Sequence, residues 1–270
     1  MVNLQPVPPD PYPFPYSAEG SWPLPIDPDK PAWGPGSGLL MWGISILAIV
    51  IMQLPAAMLW AGEIYFRTGK MPVLSPTVQD PRLVLYSVLS TIVAHLLTFA
   101  ACWMLVRTSA PNVKFWNALG WGWTKDFRWY HCWGIILSFL ALGVAVSQLI
   151  PHKETDFDRI LKIGPSIRIA VSIVALATAP LVEEVVYRGM LYSGFRKMVE
   201  PWAAITLVSF LFLLVHVPQY WGGWDGLTVL ALLSITLTIV RARTRSLLPC
   251  IYIHTIFNGI GVASILLGGR

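Results

Sequence analysis

The stretch "IRIAVSIVALATAPLVEEVVYRGMLYSGF", residues 167–195, decides the fold class because it is apolar and long enough to span a membrane. About 20 predominantly apolar residues cross the roughly 30 Å hydrocarbon core of a bilayer in helical form. Glu183 and Glu184 nevertheless stand well inside this stretch. A charged side chain at the bilayer centre costs about 2.5–3.5 kcal/mol on insertion scales. An acidic pair at this position therefore indicates a functional site within a membrane-spanning helix.

Composition extends the membrane assignment to the whole chain. The 270 residues are 55% hydrophobic and 12% charged, whereas soluble domains are about 25% charged. Backbone groups in lipid must be satisfied within the span, and the apolar runs do not alternate, so we expect helices and not barrel strands. The fold predicted is an all-α, polytopic transmembrane helical bundle of about seven spans. These spans are expected at residues 39–62, 83–106, 132–150, 166–195, 201–217, 226–240 and 246–267.

Two segments differ from the spans in composition. Residues 112–130 combine four tryptophans with three basic residues, which predicts an interfacial or re-entrant helix. Residues 1–38 contain 11 of the 22 prolines, which predicts an extended, disordered tail. We therefore divide the chain into a proline-rich tail (1–38), N-terminal transmembrane helices (39–110) and a second membrane domain (111–270) that contains Glu183 and Glu184.

The charged residues restrict the partners of the protein. Most of the basic residues behind the net charge of +5 lie in short connections, where lysine and arginine meet lipid headgroups. No basic stripe of the kind that binds nucleic acid is visible in the sequence. The basic residues divide ten against eight between the two sides of a seven-span arrangement, so they do not decide the membrane orientation. The expected partner is the lipid bilayer, with no nucleic acid.

The acidic pair has a neighbour on its own helix face. Arg188 follows Glu184 by four residues and should form an ion pair with it, which leaves Glu183 as the less neutralised carboxylate. Such a carboxylate can act as a general base on water. Pro180 removes one helical hydrogen bond and should free the carbonyl of Leu176, making room for water. The alternative is a structural Glu–Arg pair that locks two helices together.

Two further helices carry polar groups at similar depth. "FLLVH" places Phe212 and His216 on one helix face, and "HTIFN" places His254 and Asn258 on another. Polar side chains within spans normally face the bundle interior, where they meet one another or water. His95, in the second span, has no nearby partner motif of this kind and is interpreted as structural. The sequence therefore predicts one polar site built from three helices.

The order "EEVVYR", "FLLVH" and "HTIFN" resembles the EExxxR, FxxxH and HxxxN motifs of the CPBP intramembrane protease family. That family includes the CAAX prenyl endopeptidases and the bacterial abortive-infection and bacteriocin-processing proteins. The resemblance covers roughly residues 110–267, which implies that residues 111–270 form a CPBP-like intramembrane protease domain. It implies an intramembrane endopeptidase, a hydrolase that acts on a membrane-anchored or lipidated protein or peptide.

The resemblance also implies roles for matching residues. Glu183 would activate the hydrolytic water with help from His216, while His254 and Asn258 would donate hydrogen bonds to the oxyanion. Glu184 and Arg188 would support this arrangement, and Phe212 would pack beside it. The family has been read both as metalloproteases and as metal-independent glutamate proteases, so either Zn²⁺ or no cofactor is expected. If a metal is used, its ligands would be Glu183, His216 and His254.

Other classes remain open from the sequence. The chain has no HExxH, GxSxG or GxGD motif, which disfavours the other known kinds of intramembrane protease. A non-proteolytic membrane scaffold or immunity protein could keep the polar cluster for assembly. A proton-coupled transporter could use the same glutamates and histidines as a pathway, although no two-fold internal repeat is visible.

Overall fold

The structure is a computed structural model that describes residues 27–73 and 80–267. Within these ranges the chain is helical and contains no strand, so the predicted all-α bundle is confirmed. Most of the proline-rich tail, residues 1–26, lies outside the described residues. The helices are α1 Pro35–Thr68, α2 Pro81–Ser109, α3 Phe115–Ala118, α4 Trp129–Leu149, α5 Asp156–Lys162, α6 Pro165–Phe195, α7 Pro201–His216, α8 Trp224–Thr244 and α9 Leu248–Leu267.

Six of the described helices are long and apolar enough to cross a membrane, namely α1, α2, α4, α6, α8 and α9. Helix α7 is also apolar but has only 16 residues. Proline stands in the first turn of α1, α2, α6 and α7, where its missing N–H costs no helical hydrogen bond. The chain is therefore an integral, multi-pass membrane protein, as predicted.

Contacts between connections show that α7 also traverses the bundle. At one end, called the N-terminal end, Lys197 Nζ donates to the carbonyl of Pro31 at 3.2 Å just before α7 begins. At the opposite end, called the α5 end, the N–H of Phe157 donates to the carbonyl of Gln219 at 3.3 Å just after α7 ends. Helix α7 thus joins the two ends of the bundle, which gives seven traverses among the described helices.

The interfacial helix predicted over residues 112–130 is wrong in extent. Only Phe115–Ala118 is helical, and turns follow until α4 begins at Trp129. Gly120 explains the break, because its φ of 73° is left-handed and favours glycine. A Cβ at Gly120 would also collide with the carbonyl oxygen of Arg245. The segment therefore packs as a connection against the turn between α8 and α9.

The sixth span is longer than predicted, and this changes the position of one arginine. The predicted segment ended at residue 240, which placed Arg241 in a connection. Helix α8 continues to Thr244, and the Arg241 side chain has no exposed surface. Its Nε donates to the carbonyl of Arg188 at 3.2 Å, and its Nη2 donates to the carbonyl of Pro28 at 3.3 Å. These two carbonyls stabilise the helical extension.

Residues 27–34 pack against the bundle. The Trp33 side chain is buried, and its Nε1 donates to the carbonyl of Met190 at 3.3 Å. Asp29 Oδ1 lies 3.6 Å from Arg241 Nη1. Burial raises the pKa of Asp29, while the adjacent Arg241 acts in the opposite direction. The boundaries proposed at residues 38 and 110 stay predictions, but the end of the tail is joined to the core of α6 and α8.

Candidate active site

Helix α6 contains two π-helical stretches, Val174–Thr178 and Val185–Tyr192, on either side of the glutamates. In the first, the N–H of Ala179 donates to the carbonyl of Val174, five residues earlier. The next donor in this register would be residue 180, which is a proline and has no N–H. The π turn is therefore the position at which α6 loses one backbone hydrogen bond.

Asn258 supplies the missing donor. Its Nδ2 donates to the carbonyl of Ala175 at 2.9 Å, from α9 to α6. Ala175 is the residue whose carbonyl would have paired with position 180 in the π register. The prediction that Pro180 frees the carbonyl of Leu176 is thus wrong by one residue, because it assumed an α-helical register. Asn258 has one amide N–H left for another partner.

Glu184 is sealed inside the protein by Arg188. Both side chains have no exposed surface, and Arg188 Nη1 donates to Glu184 Oε1 at 2.9 Å. Arg188 also donates from Nε to Thr238 Oγ1 at 3.2 Å, and from Nη2 to the carbonyl and hydroxyl of Ser234 at 2.9 Å. These bonds fix the guanidinium between α6 and α8. Glu184 is consequently a buried and neutralised group.

His254 is held between the two glutamates. Its Nδ1 lies 2.8 Å from Glu184 Oε1, and its Nε2 lies 3.9 Å from Glu183 Oε2. A carboxylate only accepts hydrogen bonds, so Nδ1 carries the hydrogen. In neutral His254 the Nε2 lone pair is then on the side of Glu183.

His216 is oriented by its own helix. Its Nδ1 lies 2.7 Å from the carbonyl oxygen of Phe212, so this nitrogen also carries the hydrogen. The ring stacks on Phe212, with 4.5 Å between ring centroids. The Phe212 ring also contacts a cation, because Arg188 Cζ lies 5.1 Å from its centroid. Phe212 thus separates the buried Glu184–Arg188 pair from His216.

Only one of the two glutamates lines the internal cavity, which has a volume of about 530 Å³. Glu183 lines this cavity and its side chain is 23% exposed, whereas neither Glu184 nor Arg188 lines it. Glu183 lies roughly 18 Å along α6 from Phe195 and roughly 27 Å from Pro165, at 1.5 Å per residue. The predicted site residues that line the cavity are Glu183, Phe212, His216, His254 and Asn258.

The cavity extends from mid-depth toward the α5 end. Phe157 and Ile160 of α5 line it, together with Gln219 and Tyr220 from the connection after α7. Further along, the walls are mainly apolar side chains of α1, α2, α6 and α9. A water molecule or a peptide carbonyl in this cavity would therefore meet polar groups chiefly near Glu183.

Several residues of the site are not apparent from the motifs. Ser234 and Thr238, which bind Arg188, stand four residues apart in an apolar span. That spacing was a signal for a polar helix face. His95 also lines the cavity, with its Nδ1 2.7 Å from Thr178 Oγ1. The structural interpretation of His95 accounts for this bond but not for its position in the cavity wall.

The residues proposed as metal ligands do not form a complete set of protein ligands. Catalytic zinc sites use three side chains that converge on the metal. Among the described residues, no three histidine, cysteine, aspartate or glutamate side chains are grouped in this way. The Nδ1 bonds of His254 to Glu184 and of His216 to Phe212 leave each Nε2 open to a metal, so only the grouping of the side chains argues against zinc. Glu183, His216 and His254 thus share a cavity without the convergence that zinc requires.

Seven helical traverses and a polar cavity at mid-depth define a polytopic membrane protein with an internal site. The family described as "Type II CAAX prenyl endopeptidase Rce1-like" matches residues 165–260, which include all three motifs. The predicted resemblance to the CPBP family of intramembrane proteases is therefore confirmed over these residues. The family is one of proteases, and hence of hydrolases. No curated protein and no solved structure matches the chain.

Proposed function

We propose that the protein is an intramembrane endopeptidase that hydrolyses a peptide bond of a membrane-associated substrate with water activated by Glu183 and His216. The observation that carries this proposal is the unequal placement of the two glutamates. Glu183 lines the cavity with His216 and His254, while Glu184 is sealed by Arg188. One carboxylate is therefore free to accept a proton, and the other fixes the scaffold around it.

The chemistry begins with a water molecule between Glu183 and His216. Glu183 accepts one proton as the water oxygen attacks the peptide carbonyl, and His216 Nε2 accepts a hydrogen bond from the same water. The carbon–nitrogen bond then breaks, and protonated Glu183 returns the proton to the leaving amine. General base catalysis of this kind typically contributes about 10²–10⁴-fold.

The hydrogen bonds of His254 change the role that the family resemblance implies for it. Neutral His254 has its hydrogen on Nδ1 and a lone pair on Nε2, so it cannot donate to an oxyanion from Nε2. We propose that neutral His254 is anchored on Glu184 through Nδ1–H, and that only protonated His254 donates from Nε2, toward Glu183. Asn258 retains one amide N–H for the oxyanion.

The substrate proposed is a peptide with a prenylated cysteine near its C-terminus, held with its lipid in the bilayer. Two observations support it. The matched family is described as a CAAX prenyl endopeptidase. The cavity is bounded by apolar side chains of α1, α2 and α9 beyond the polar cluster, which suits a substrate that enters from lipid.

A cleavage assay with the purified protein in proteoliposomes tests the proposal. A farnesylated CAAX peptide and its unprenylated counterpart are incubated in H₂¹⁸O, and the products are weighed by mass spectrometry. We expect cleavage after the prenylated cysteine and one ¹⁸O in the new carboxyl group. If only a membrane-anchored, unprenylated peptide were cleaved, the endopeptidase activity would stand and the proposed specificity for a prenyl group would be overturned.

The same proteoliposomes distinguish the remaining classes. A pH-sensitive dye inside the vesicles reports proton flux. Flux that Glu183→Gln abolishes, without peptide cleavage, would assign the site to a transporter. Neither cleavage nor flux by the folded protein would favour a scaffold or immunity protein.

A further inference from the structure

His95 lies in the wall of the cavity, but it belongs to none of the three motifs. It comes from α2, outside the matched residues 165–260. It lies roughly 21 Å along the helix from both Pro81 and Ser109, at 1.5 Å per residue. The residue is only 7% exposed, yet it lines the same cavity as Glu183. A histidine at this depth needs partners for both ring nitrogens.

The first partner is the hydroxyl of Thr178. His95 Nδ1 lies 2.7 Å from Thr178 Oγ1, whereas the same hydroxyl lies 3.4 Å from the carbonyl of Val174. Thr98 and Thr238 donate to the carbonyl four residues earlier at 2.8 and 2.7 Å. The Thr178 hydroxyl is within hydrogen-bond distance of both groups, and the shorter contact favours the arrangement in which its hydrogen points to His95 Nδ1.

That arrangement selects one tautomer of His95. When Nδ1 accepts from Thr178, neutral His95 carries its hydrogen on Nε2. No described side chain or backbone group forms a hydrogen bond with that nitrogen, so Nε2–H is available to an occupant of the cavity. The two other histidines of the cavity have the opposite tautomer, because His216 and His254 both donate from Nδ1.

We propose that His95 Nε2–H donates a hydrogen bond to the carbonyl oxygen of the scissile peptide bond, and that Thr178 positions it. This inference rests on the proposed hydrolase function. Among the three imidazoles of the cavity, His95 is then the neutral donor, while His216 and His254 present lone pairs. As water adds to the carbonyl carbon, the π electrons move to the oxygen, and the bond from His95 strengthens. His95 keeps its proton throughout the step.

Steady-state kinetics with the farnesylated peptide test this assignment, with four variants compared in proteoliposomes. His95→Leu removes the donor, and His95→Gln returns an amide N–H near the Nε2 position. Thr178→Val removes the hydroxyl that orients His95. Thr98→Val is the matched control, because Thr98 is buried on the same helix, three residues from His95, and binds only its own backbone.

The expected result is a loss in kcat with little change in KM. We expect His95→Leu to lower kcat by about 10²–10³-fold, the typical effect of one oxyanion donor. His95→Gln should recover at least roughly tenfold of that loss, and Thr178→Val should lower kcat by roughly tenfold. Thr98→Val should match wild type.

Two results would overturn the assignment while leaving the hydrolase intact. One is wild-type kcat in His95→Leu when Glu183→Gln is inactive. The other is a rise in KM with an unchanged kcat, which would mean that His95 contacts a part of the substrate remote from the scissile bond. Should His95→Leu fail to fold, the kcat of Thr178→Val is compared with that of Thr98→Val. Equal values would overturn the assignment. A fully active Glu183→Gln would instead refute the proposed function itself.

Discussion

His254 Nδ1 lies 2.8 Å from Glu184 Oε1, so the histidine is anchored on the buried glutamate and only its far side meets Glu183. Glu184 in turn receives Arg188 on the same oxygen at 2.9 Å. The adjacent glutamates therefore have separate tasks. Glu184 assembles α6, α8 and α9, and Glu183 faces the cavity.

The two glutamates should differ in their effect on stability. Glu184→Gln leaves the buried Arg188 without its counter-charge, and removal of one member of a buried pair typically costs about 3–5 kcal/mol. Glu183→Gln changes a cavity-facing side chain that is 23% exposed, so the free energy of unfolding should change by under about 0.5 kcal/mol. Thermal unfolding in detergent compares the two isosteric variants. Equal unfolding temperatures for both would contradict the separation.

Arg241 should matter far more for stability than Arg245, although the two are one helical turn apart. Arg241 is fully buried and binds the carbonyls of Arg188 and Pro28, so Arg241→Met should cost about 3 kcal/mol. The side chain of Arg245 is 54% exposed, so Arg245→Met should cost at most about 1 kcal/mol. Chemical denaturation of each variant measures the difference. A similar cost for both would mean that residues 27–34 do not fix α8.

Asn258 and Pro180 should be coupled in stability. Asn258→Ala leaves the carbonyl of Ala175 without a donor, at a cost of about 1–3 kcal/mol. Pro180→Ala supplies an N–H at position 180, so the double variant should be less destabilised than the sum of the single changes. A double-mutant cycle in detergent should give a coupling of about 1 kcal/mol. Strict additivity would show that the π register does not need Asn258.

The attachment of α5 should depend on pH through His152. This side chain lies 2.8 Å from Asp225 and 3.4 Å from Asp158, and the hydrogen bond with Asp225 raises the pKa of His152 above its ordinary value. A raised histidine pKa stabilises the fold fully below the unfolded pKa of about 6.5 and loses that contribution as pH rises through the folded value.

Hydrogen exchange of residues 156–162, corrected for the intrinsic rate, measures this effect. Wild type should be more protected at pH 6 than at pH 8. In His152→Ala the difference should vanish. A pH-independent wild type would show that α5 is held by Phe157 and its neighbours alone.

The spans and the polar residues could be predicted from the sequence because few other structures suit them. Long apolar runs in lipid must be helical, and groups such as Glu183 and His254 must then turn inward. The register of α6 could not be predicted, since the π turn depends on Pro180 and on the amide of Asn258, which is 83 residues from its acceptor Ala175. The burial of Arg241 depends likewise on Pro28, 213 residues distant. Such features arise from packing between elements, which periodicity along one helix does not contain.

The depth of His95 illustrates the same limit. On α2 it belongs to none of the three motifs, so the sequence alone favours a structural residue. The contact with Thr178 of α6 and the position of His95 in the cavity wall become visible only in the structure. The motifs identify the helices that carry the chemistry, but not the helix that completes the wall opposite them.

The most direct test compares kcat for the farnesylated peptide between wild-type protein and Glu183→Gln. Both proteins are first shown to unfold at the same temperature. If Glu183 activates the water, kcat should fall by about 10²–10⁴-fold, and the variant should still bind the peptide. A Glu183→Gln variant that cleaves within about threefold of wild type would contradict the assignment of Glu183 as the base.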